Sequence, residues 1–298
     1  MDISVLQIFM EVIRQGSFAA VARERNIDPS SVSRAIASLE QELGVKLLQR
    51  STRQISPTEA GTTYFNRIEP LVEELQQAVE LVSDISGSPK GILRVTASVS
   101  FGIQCIVPLL GEFETRYPEL TIELLLTDSV VDLLTERVDL AIRLGVLEDS
   151  TLIAQRLIKT NYAVCASPKY LEYKGEPNQP NNLSQHNCLL FPLAGFRSRW
   201  LFKDRAGTIE TVPVNGNTII SSAIALKQCA LSDMGLALLP HWLIDPELES
   251  GKLIQVLTEY EVTARDFNTS AWLVYPSRTY VPLKVRLLID FLKQHIVN

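Results

Sequence analysis

The chain has 298 residues, of which 46% are apolar and 21% charged, and this balance indicates a globular protein of two domains rather than a disordered chain or one small module. The start of the chain lacks a basic stretch followed by an apolar run, and no apolar segment is long enough to cross a bilayer, so we expect a cytoplasmic protein with no membrane association. A formal net charge of −6 would disfavour nucleic acid as a partner if the charge were evenly spread.

The charge is, however, unevenly distributed along the chain. Residues 14–67 hold eight basic side chains against five acidic ones, whereas residues 68–86 hold five acidic side chains and no basic one. Binding to phosphate depends on the contacts that are made and not on the charge of the whole molecule. A locally basic face on an acidic protein is therefore compatible with DNA binding.

Two short helices are predicted at the start of the chain. Asp2 can cap the first helix, and Gly16 suits the left-handed residue that ends it. Ser17 is a good cap for a second helix, which ends near Asn26.

The third predicted helix has two different faces. Asp28 caps it, Pro29 is tolerated at its first position, and Gly44 ends it. Its apolar residues recur at helical spacing and form one buried stripe, made of Val32, Ile36, Leu39 and Leu43. The opposite face carries Ser30, Arg34, Ala37, Ser38 and Gln41. A slim, polar face of this kind fits the major groove of DNA, although an ordinary three-helix core with a solvated outer face has the same pattern.

A pair of short strands is predicted after the third helix. The segments Val45–Arg50 and Arg53–Ser56 flank a turn at residues 51–52, with basic residues near its tip. Two short helices joined by a tight turn and followed by such a pair describe a winged helix-turn-helix.

Four segments of this region resemble the LysR family of transcriptional regulators, namely Phe18–Ala22, Ser31–Ile36, Leu39–Arg50 and Thr58–Gly61. They occur in the order and spacing of the family within about the first sixty residues of the chain. Leu48 stands where the family usually has phenylalanine, which we expect to alter packing only. Pro29 stands where many members have a glutamine that reaches DNA, so base preference is not carried over at that position.

The resemblance implies that the chain binds double-stranded DNA at an inverted-repeat operator. The implied DNA-binding residues are Ser17, Ser30, Ser31, Ser33, Arg34, Ser38, Arg50 and Arg53. Those of the third helix would enter the major groove, where an arginine can pair with guanine. The two arginines of the wing would touch phosphate or the neighbouring minor groove.

A long helix is predicted from Thr58, which can cap it, to about Ser86. Its apolar residues alternate spacings of three and four, as in a coiled-coil seam, and are Ile68, Leu71, Leu75, Ala78, Val82 and Ile85. The repeat is short, so packing of the helix on its own domain explains it equally well. The family uses a helix at this position to pair protomers, which implies a homodimer or, as the family expectation, a homotetramer. Residues 86–91 are rich in turn formers and are predicted to be a hinge.

From Gly91 onward, predicted strands alternate with predicted helices. The strands are Ile92–Ala97, Thr121–Thr127, Asp139–Leu144, Tyr162–Ala166, Cys188–Phe191, Ile209–Val214, Leu236–Leu239 and Ala271–Tyr275. The helical segments are Phe101–Tyr117, which Pro108 interrupts, Val130–Glu136 and Pro282–His295. This alternation predicts an α/β fold with a parallel sheet and helices on its faces.

Segments of this second part, among them Asp139–Arg143 and Gly235–Pro240, are also similar to recurrent LysR-family segments. The resemblance implies a two-lobed effector domain like the periplasmic solute-binding proteins, with crossovers near Lys159–Asn161 and Ala264–Asp266. The predicted domains are a winged helix-turn-helix at 1–58, a linker and dimerisation helix with the hinge at 59–90, and an effector-binding domain at 91–298. Lobe I of this domain comprises 91–160 and 266–298, and lobe II comprises 161–265.

A small-molecule effector would lie between the lobes, at the carboxyl ends of strands and the amino ends of helices, where unpaired amides favour anions. The candidate effector-binding residues are Ser98, Ser100, Thr127, Ser129, Arg143, Asn217 and Ser221. Each serine or threonine is also explained as an ordinary helix cap, and Arg143 as part of a structural salt bridge.

Other classes of protein are disfavoured by the sequence. The three histidines are widely spaced and no nucleotide-binding or nucleophile motif is present, so no catalytic residue, metal site or cofactor is predicted. A solute-binding protein for transport would have the lobes but not the ninety residues before them. The four cysteines are expected to be buried thiols, with a redox-sensing pair of Cys188 and Cys229 as the alternative. We therefore expect a regulator that binds DNA and a small molecule and acts on RNA polymerase.

Overall fold

A computed structural model describes residues 2–50, 55–85, 89–133, 135–146, 152–193, 195–276 and 281–296. The side chains of residues 50, 73, 76, 77 and 79–85 lie outside this description. The chain forms two compact units, Met1–Ser88 and Pro89–Asn298.

The first unit consists of four helices and a pair of short strands within the described residues. In chain order these are α1 (Ile3–Gln15), α2 (Phe18–Glu24), α3 (Pro29–Leu43), β1 (Leu48–Arg50), β2 (Ile55–Pro57) and α4 (Glu59–Ile85). Gly16 and Gly44 adopt the left-handed conformation that ends α1 and α3, as predicted. The Ser17 hydroxyl accepts a hydrogen bond from the Ala20 amide and caps α2. Asp28 precedes α3 without a capping bond from its side chain, so that part of the prediction was wrong.

The core of this unit is formed by the apolar faces of all four helices. The predicted stripe of α3 is buried at Val32, Ile36 and Leu39, and Phe9 of α1 packs in the same cluster. The start of α4 lies against the segment before β1, because a Cβ added at Gly61 would lie only 2.0 Å from the carbonyl oxygen of Leu47. This close backbone approach requires glycine at that position.

A buried carboxylate ties α3 to the wing. Glu40, whose side chain is 8% exposed, accepts hydrogen bonds from the amides of Leu47 and Leu48 at 2.9 and 3.1 Å and pairs with the Lys46 ammonium at 2.6 Å. Burial by itself would raise the pKa of Glu40, but the bonds from Lys46, Leu48 and Leu47 outweigh it, and the pKa is lowered. The carboxylate is therefore held in its charged form between the two elements.

The second unit contains the remaining strands and helices. Its strands are β3 (Gly91–Ala97), β4 (Leu120–Leu126), β5 (Leu140–Gly145), β6 (Ile153–Lys159), β7 (Tyr162–Ala166), β8 (Cys188–Leu190), β9 (Arg199–Lys203), β10 (Ile209–Pro213), β11 (Thr218–Ile219), β12 (Leu236–Pro240), β13 (Ile254–Val256), β14 (Glu261–Thr263) and β15 (Ser270–Tyr275). Its α-helices are α5 (Val99–Phe101), α6 (Val107–Arg116), α7 (Pro168–Lys174), α8 (Ala223–Leu231), α9 (His241–Glu249) and α10 (Leu283–Ile296). A π-helix spans Gly102–Ile106 and a 3₁₀-helix spans Pro180–Gln185.

The strands form two sheets, each with its own core. The first has the order β4-β3-β5-β15-β6, and the second has the order β10-β9-β14-β7-β12-β8-β11, with β13 also on β7. In the first sheet β3, β4, β5 and β6 run in one direction, and β15 runs antiparallel to both of its neighbours, β5 and β6. In the second sheet β8 is parallel to β11 and β12, but β7 is antiparallel to β12. The prediction of a parallel sheet was thus only partly right.

The predicted helix Val130–Glu136 is absent from the described residues. The segment instead contains isolated turns, and the side chain of Asp132 accepts from the amide and hydroxyl of Thr135. The turn ends at Arg137, which has a φ of 52°. The guanidinium of Arg143 holds the carbonyls of Ser129 and Val131, which a helix over these residues would need for its own bonds.

The predicted helical segment 101–117 is interrupted, as expected. The interruption is a π-helix before Pro108 and does not lie at the proline itself. Pro108 lies in the first turn of α6, where a missing amide is tolerated, and the π-helix comes directly before it.

We expect Glu40→Ala to lower the melting temperature of the first unit more than Glu40→Gln does, as scanning calorimetry will measure. Alanine leaves the amides of Leu47 and Leu48 buried without an acceptor, at a cost of about 1–3 kcal/mol for each group. Glutamine keeps an acceptor oxygen and loses only the charge that pairs with Lys46.

The contribution of the Glu40 charge also depends on pH. Because the pKa is lowered in the folded chain, this stabilisation is present above the ordinary glutamate value of 4.5 and is lost as the pH falls through the folded pKa. The difference in melting temperature between the native chain and Glu40→Gln should therefore shrink below that pH. A difference that stays constant from neutral pH to about pH 3 would contradict this account.

Candidate nucleic-acid interface and ligand cleft

The predicted DNA-binding face of α3 is the face turned away from the core. Ser30, Arg34 and Ser38 are exposed, and Ser31 and Ser33 are half-buried beside them. The guanidinium of Arg34 donates to the carbonyl oxygen of Ser30 at 3.3 Å and to the hydroxyl of Ser31 at 3.2 Å. These bonds are at the long end of the normal range and are exposed, so a stronger acceptor on DNA can replace them at little cost.

Several predicted contacts near this face have a second role or lie outside the described residues. Ser17 is half-buried and already caps α2. Arg53 and the side chain of Arg50 are not described, although the backbone of Arg50 pairs with Ile55 in the antiparallel wing. Leu48, the departure from the family pattern, is buried in the core, where a leucine fills the space.

Two faces of α4 have different surroundings. Ile68 and Val72 are buried in the core of the first unit. Leu71 and Leu75 are 63% and 43% exposed, and Ala78 is exposed further along the helix. The side chains of Val82 and Ile85, the last two predicted seam residues, lie outside the description. The helix thus packs on its own unit and also presents apolar side chains to solvent.

The first predicted half of the ligand cleft lies where adjacent strands β3 and β4 end. Ser98 follows β3, and its hydroxyl is buried with no hydrogen-bond partner among the described residues. Ser100 is buried one turn later. The amide of Thr127, which follows β4, donates to the carbonyl of Ala97 at 2.9 Å. The hydroxyl of Thr127 accepts from the amide of Ser129, so these four side chains share one end of the sheet.

Arg143 positions the loop that carries Ser129. It lies within β5, and its guanidinium donates to the carbonyls of Ser129 at 3.3 Å and Val131 at 2.8 Å. The alternative of a structural salt bridge is not what the described residues show, since these partners are backbone carbonyls. Burial lowers the pKa of Arg143, but an arginine remains charged at neutral pH. The cation therefore stays available to attract an anion while it holds the loop.

In the second predicted half of the cleft, the residue that caps the helix lies one position later than predicted. Helix α8 begins at Ala223, and Ser222, not Ser221, accepts the capping bond from Ala225. Ser221 is exposed one residue earlier. The amide of Asn217 donates to the side chain of Asn187, and Asn217 lines an open groove of about 560 Å³. The sequence could not resolve which of two adjacent serines caps the helix.

An aromatic contact between the two lobes was not anticipated. Trp242, at the start of α9, meets the ring of Phe101 edge to face, with the ring centroids 5.1 Å apart. Trp242 packs against the cores of both lobes, and its indole N–H is buried without an acceptor among the described residues. The available signal in the sequence was its place three residues after the predicted strand Leu236–Leu239.

The two cysteines of the proposed redox pair lie on opposite faces of the second sheet. Cys188 packs with Leu190 and Leu236 on one face, and Cys229 packs with Leu189 on the other. Burial raises the pKa of the Cys188 thiol to about 12, which removes the thiolate needed for disulfide exchange. The pair Cys188 and Cys229 is therefore not supported.

Within the described residues, no cluster of three or more histidine, cysteine or acidic side chains is arranged to hold a metal ion. None of the described helices is both long and apolar enough to span a membrane.

Comparison with known proteins agrees with the two-unit architecture. Residues 3–62 match the family described as "Bacterial regulatory helix-turn-helix protein, lysR family", and residues 86–297 match the "LysR substrate binding domain". The chain is 34% identical to the transcriptional regulator CrgA of Neisseria meningitidis, over 98% of this chain and 96% of that protein. It is 35% identical to the transcriptional regulator DmlR of Escherichia coli, over 98% of this chain and 94% of that protein.

Solved structures of regulators have the same fold along their whole length. The structure of CrgA superposes with a TM-score of 0.63 at 32% identity and covers all of both chains. The full-length virulence activator AphB of Vibrio cholerae superposes with a TM-score of 0.62 at 27% identity, over 99% of this chain and 100% of that one. The chain therefore belongs to the LysR family of transcriptional regulators, with a helix-turn-helix that binds DNA and a C-terminal domain that binds an effector.

Proposed function

We propose that this regulator reads an inverted-repeat operator with the exposed face of α3. The proposal rests on two opposite faces of α3, an apolar one buried at Val32, Ile36 and Leu39 and a slim one with serines around Arg34. Small side chains let the helix approach the base edges, and the arginine can donate two bonds to a guanine. Ser30, Ser31, Ser33 and Ser38 would supply further contacts to bases and phosphates, and Ser17, Arg50 and Arg53 would orient the unit on the backbone.

We infer that the effector lies between the lobes and contacts Ser98, Ser100 and Thr127. Ser98 supports this because a buried hydroxyl without a partner is costly, and a ligand in the cleft would satisfy it. The guanidinium of Arg143, close behind the loop at Ser129, favours a ligand with negative charge. Asn217 and Ser221 would close on the ligand from the other lobe. Effector binding can change DNA binding only through its different affinity for the two arrangements of the lobes.

The division into domains also remains part of the proposal. It assigns residues 1–58 to DNA binding, 59–90 to dimerisation and 91–298 to effector binding, with lobe II at 161–265. The chain passes from β6 to β7 at residues 160–161 and returns from β14 to β15 at residues 264–269, which supports these limits.

We further propose that the regulator acts in the cytoplasm as a homodimer or homotetramer, recruits or blocks RNA polymerase, and catalyses no reaction. The exposed leucines of α4 support self-association, because the stripe of Leu71, Leu75 and Ala78 follows one side of the helix. Two recognition helices held together in this way would meet half-sites about one turn of DNA apart.

The test of DNA recognition is DNase footprinting upstream of the gene for this chain, at several salt concentrations. We expect a protected inverted repeat, and we expect Arg34→Ala to weaken this specific binding by about tenfold to a hundredfold while binding to unrelated DNA changes far less. Arg116→Ala, an exposed arginine of the second unit, is the matched control and should leave the footprint unchanged.

Equal losses on both DNAs for Arg34→Ala would assign Arg34 to phosphate contacts. A lack of any discrete footprint there and at other promoters would overturn the proposal of sequence-specific binding.

The test of self-association is the molar mass of the full chain in solution, measured by light scattering. We expect Leu71→Glu combined with Leu75→Glu to lower the mass toward that of a monomer, because two charges would be buried in the proposed seam. Both leucines are exposed in the single chain, so the variant should keep the circular-dichroism spectrum of a folded chain. An unchanged mass would place the interface elsewhere.

A further inference from the structure

The two crossovers between the lobes are hydrogen-bonded to each other. The amide of Thr160 donates to the carbonyl of Thr269 at 2.9 Å, and the hydroxyl of Thr269 donates to the carbonyl of Thr160 at 3.1 Å. A pocket of about 250 Å³ lies beside these crossovers, and we call it the hinge pocket. It is lined by the crossovers, by the end of β6, by the start of α9, and by β13 and β14.

The hinge pocket is separate from the predicted effector residues. None of the seven candidate positions is among the residues that line it. Its walls come from both lobes, with Lys159 at the end of β6 and Gln255 and Tyr260 on the other side. A molecule that fills it would contact both lobes at the hinge.

Three buried threonines line the hinge pocket, and they differ in whether their hydroxyl groups are hydrogen-bonded. The hydroxyl of Thr263 donates to the carbonyl of Asp266 at 2.9 Å, and that of Thr269 donates to Thr160 at 3.1 Å. Thr160 itself is only 4% exposed, and its hydroxyl has no hydrogen-bond partner among the described residues. A buried hydroxyl without a partner is unfavourable, and a bound molecule would supply the missing bond.

The charged groups of the hinge pocket have both signs. Lys159 is exposed, forms no hydrogen bond or ion pair with a described residue, and is near enough to help Lys203 lower the pKa of Glu261. Within the part of the chain that the structure describes, the carboxylate of Asp266 accepts one hydrogen bond, from the amide of Asn268 at 2.7 Å. One cation and one carboxylate are thus free to pair with a ligand that carries both charges.

We propose that the hinge pocket binds a small zwitterion of the size of a free amino acid, as a second effector. The ligand carboxylate pairs with Lys159, its ammonium pairs with Asp266, and one of its polar atoms completes the hydrogen bonding of Thr160. Because the walls belong to both lobes, occupancy selects one angle between them. The residues that would bind the zwitterion are distinct from those at Ser98, and the two sites would influence each other only through the angle between the lobes.

The experiment is a thermal-shift series on the full chain with each of the twenty standard amino acids as probes. At least one is expected to raise the melting temperature. For that amino acid, the carboxamide that lacks the carboxylate and the acid that lacks the ammonium should both fail to do so at equal ionic strength. If no amino acid raises the melting temperature, or if the acid alone is as effective, the inference is overturned.

Variants of the hinge threonines then locate the site. Thr160→Val removes only the unpartnered hydroxyl, so the ligand-free melting temperature should hold or rise, whereas affinity for the amino acid should fall about tenfold. Thr269→Val is the matched control and should lower the ligand-free melting temperature, because its hydroxyl is bonded. Lys159→Gln changes an exposed side chain and should also weaken binding without affecting folding.

Ser98→Ala separates this site from the cleft and should leave the affinity for the amino acid unchanged. An affinity that falls with Ser98→Ala and not with Thr160→Val or Lys159→Gln would place the molecule in the cleft and overturn the hinge site. The footprint of the native chain, measured without the amino acid, tests the proposed DNA recognition independently of either result.

Discussion

The paired crossovers at Thr160 and Thr269 are the constraint on which the C-terminal unit depends. Each sheet has its own core, and the chain joins the two sheets at these crossovers, which are bonded to each other through backbone and hydroxyl groups. Two connections of this kind oppose translation of one lobe relative to the other. Rotation of the lobes about the crossovers meets less resistance. The proposed effector site at Ser98 and the proposed hinge site both involve the two lobes, so a ligand at either would favour one angle between them.

In the N-terminal unit, one buried carboxylate connects two elements of secondary structure. Glu40 binds the amides of Leu47 and Leu48, at the start of β1, and the ammonium of Lys46, so α3 is fastened to that strand. Pre-organisation of this kind reduces the entropy that must be lost when both elements contact DNA together. The surface of α3 is then free to carry small polar side chains, because its stability comes from the stripe of Val32, Ile36 and Leu39 on the other side.

Sequence patterns correctly predicted those elements that are determined by residues near one another in the chain. Helix α3 follows from its apolar spacing and from Gly44, and Ser98 was placed correctly because a polar residue after a buried strand falls at the edge of the sheet. The helix predicted at residues 130–136 is absent from the described residues, and Arg143, on β5, instead bonds to the carbonyls of Ser129 and Val131, a contact that local patterns do not show. The family resemblance brought the crossovers at Lys159 and Asp266 together, but the hinge pocket could not be predicted, since its walls also include β13 and β14, whose positions local patterns did not give.

The position of β15 has a consequence for the order in which the molecule is made. This strand lies between β5 and β6, and α10 packs into the core of the same lobe, yet both come after the whole of the second lobe in the chain. The first lobe therefore cannot complete its sheet on the ribosome until β15 has been synthesised, whereas the DNA-binding unit can fold as soon as it emerges. A nascent chain that stalls before Ser270 would carry a folded DNA-binding unit with no completed effector domain to control it.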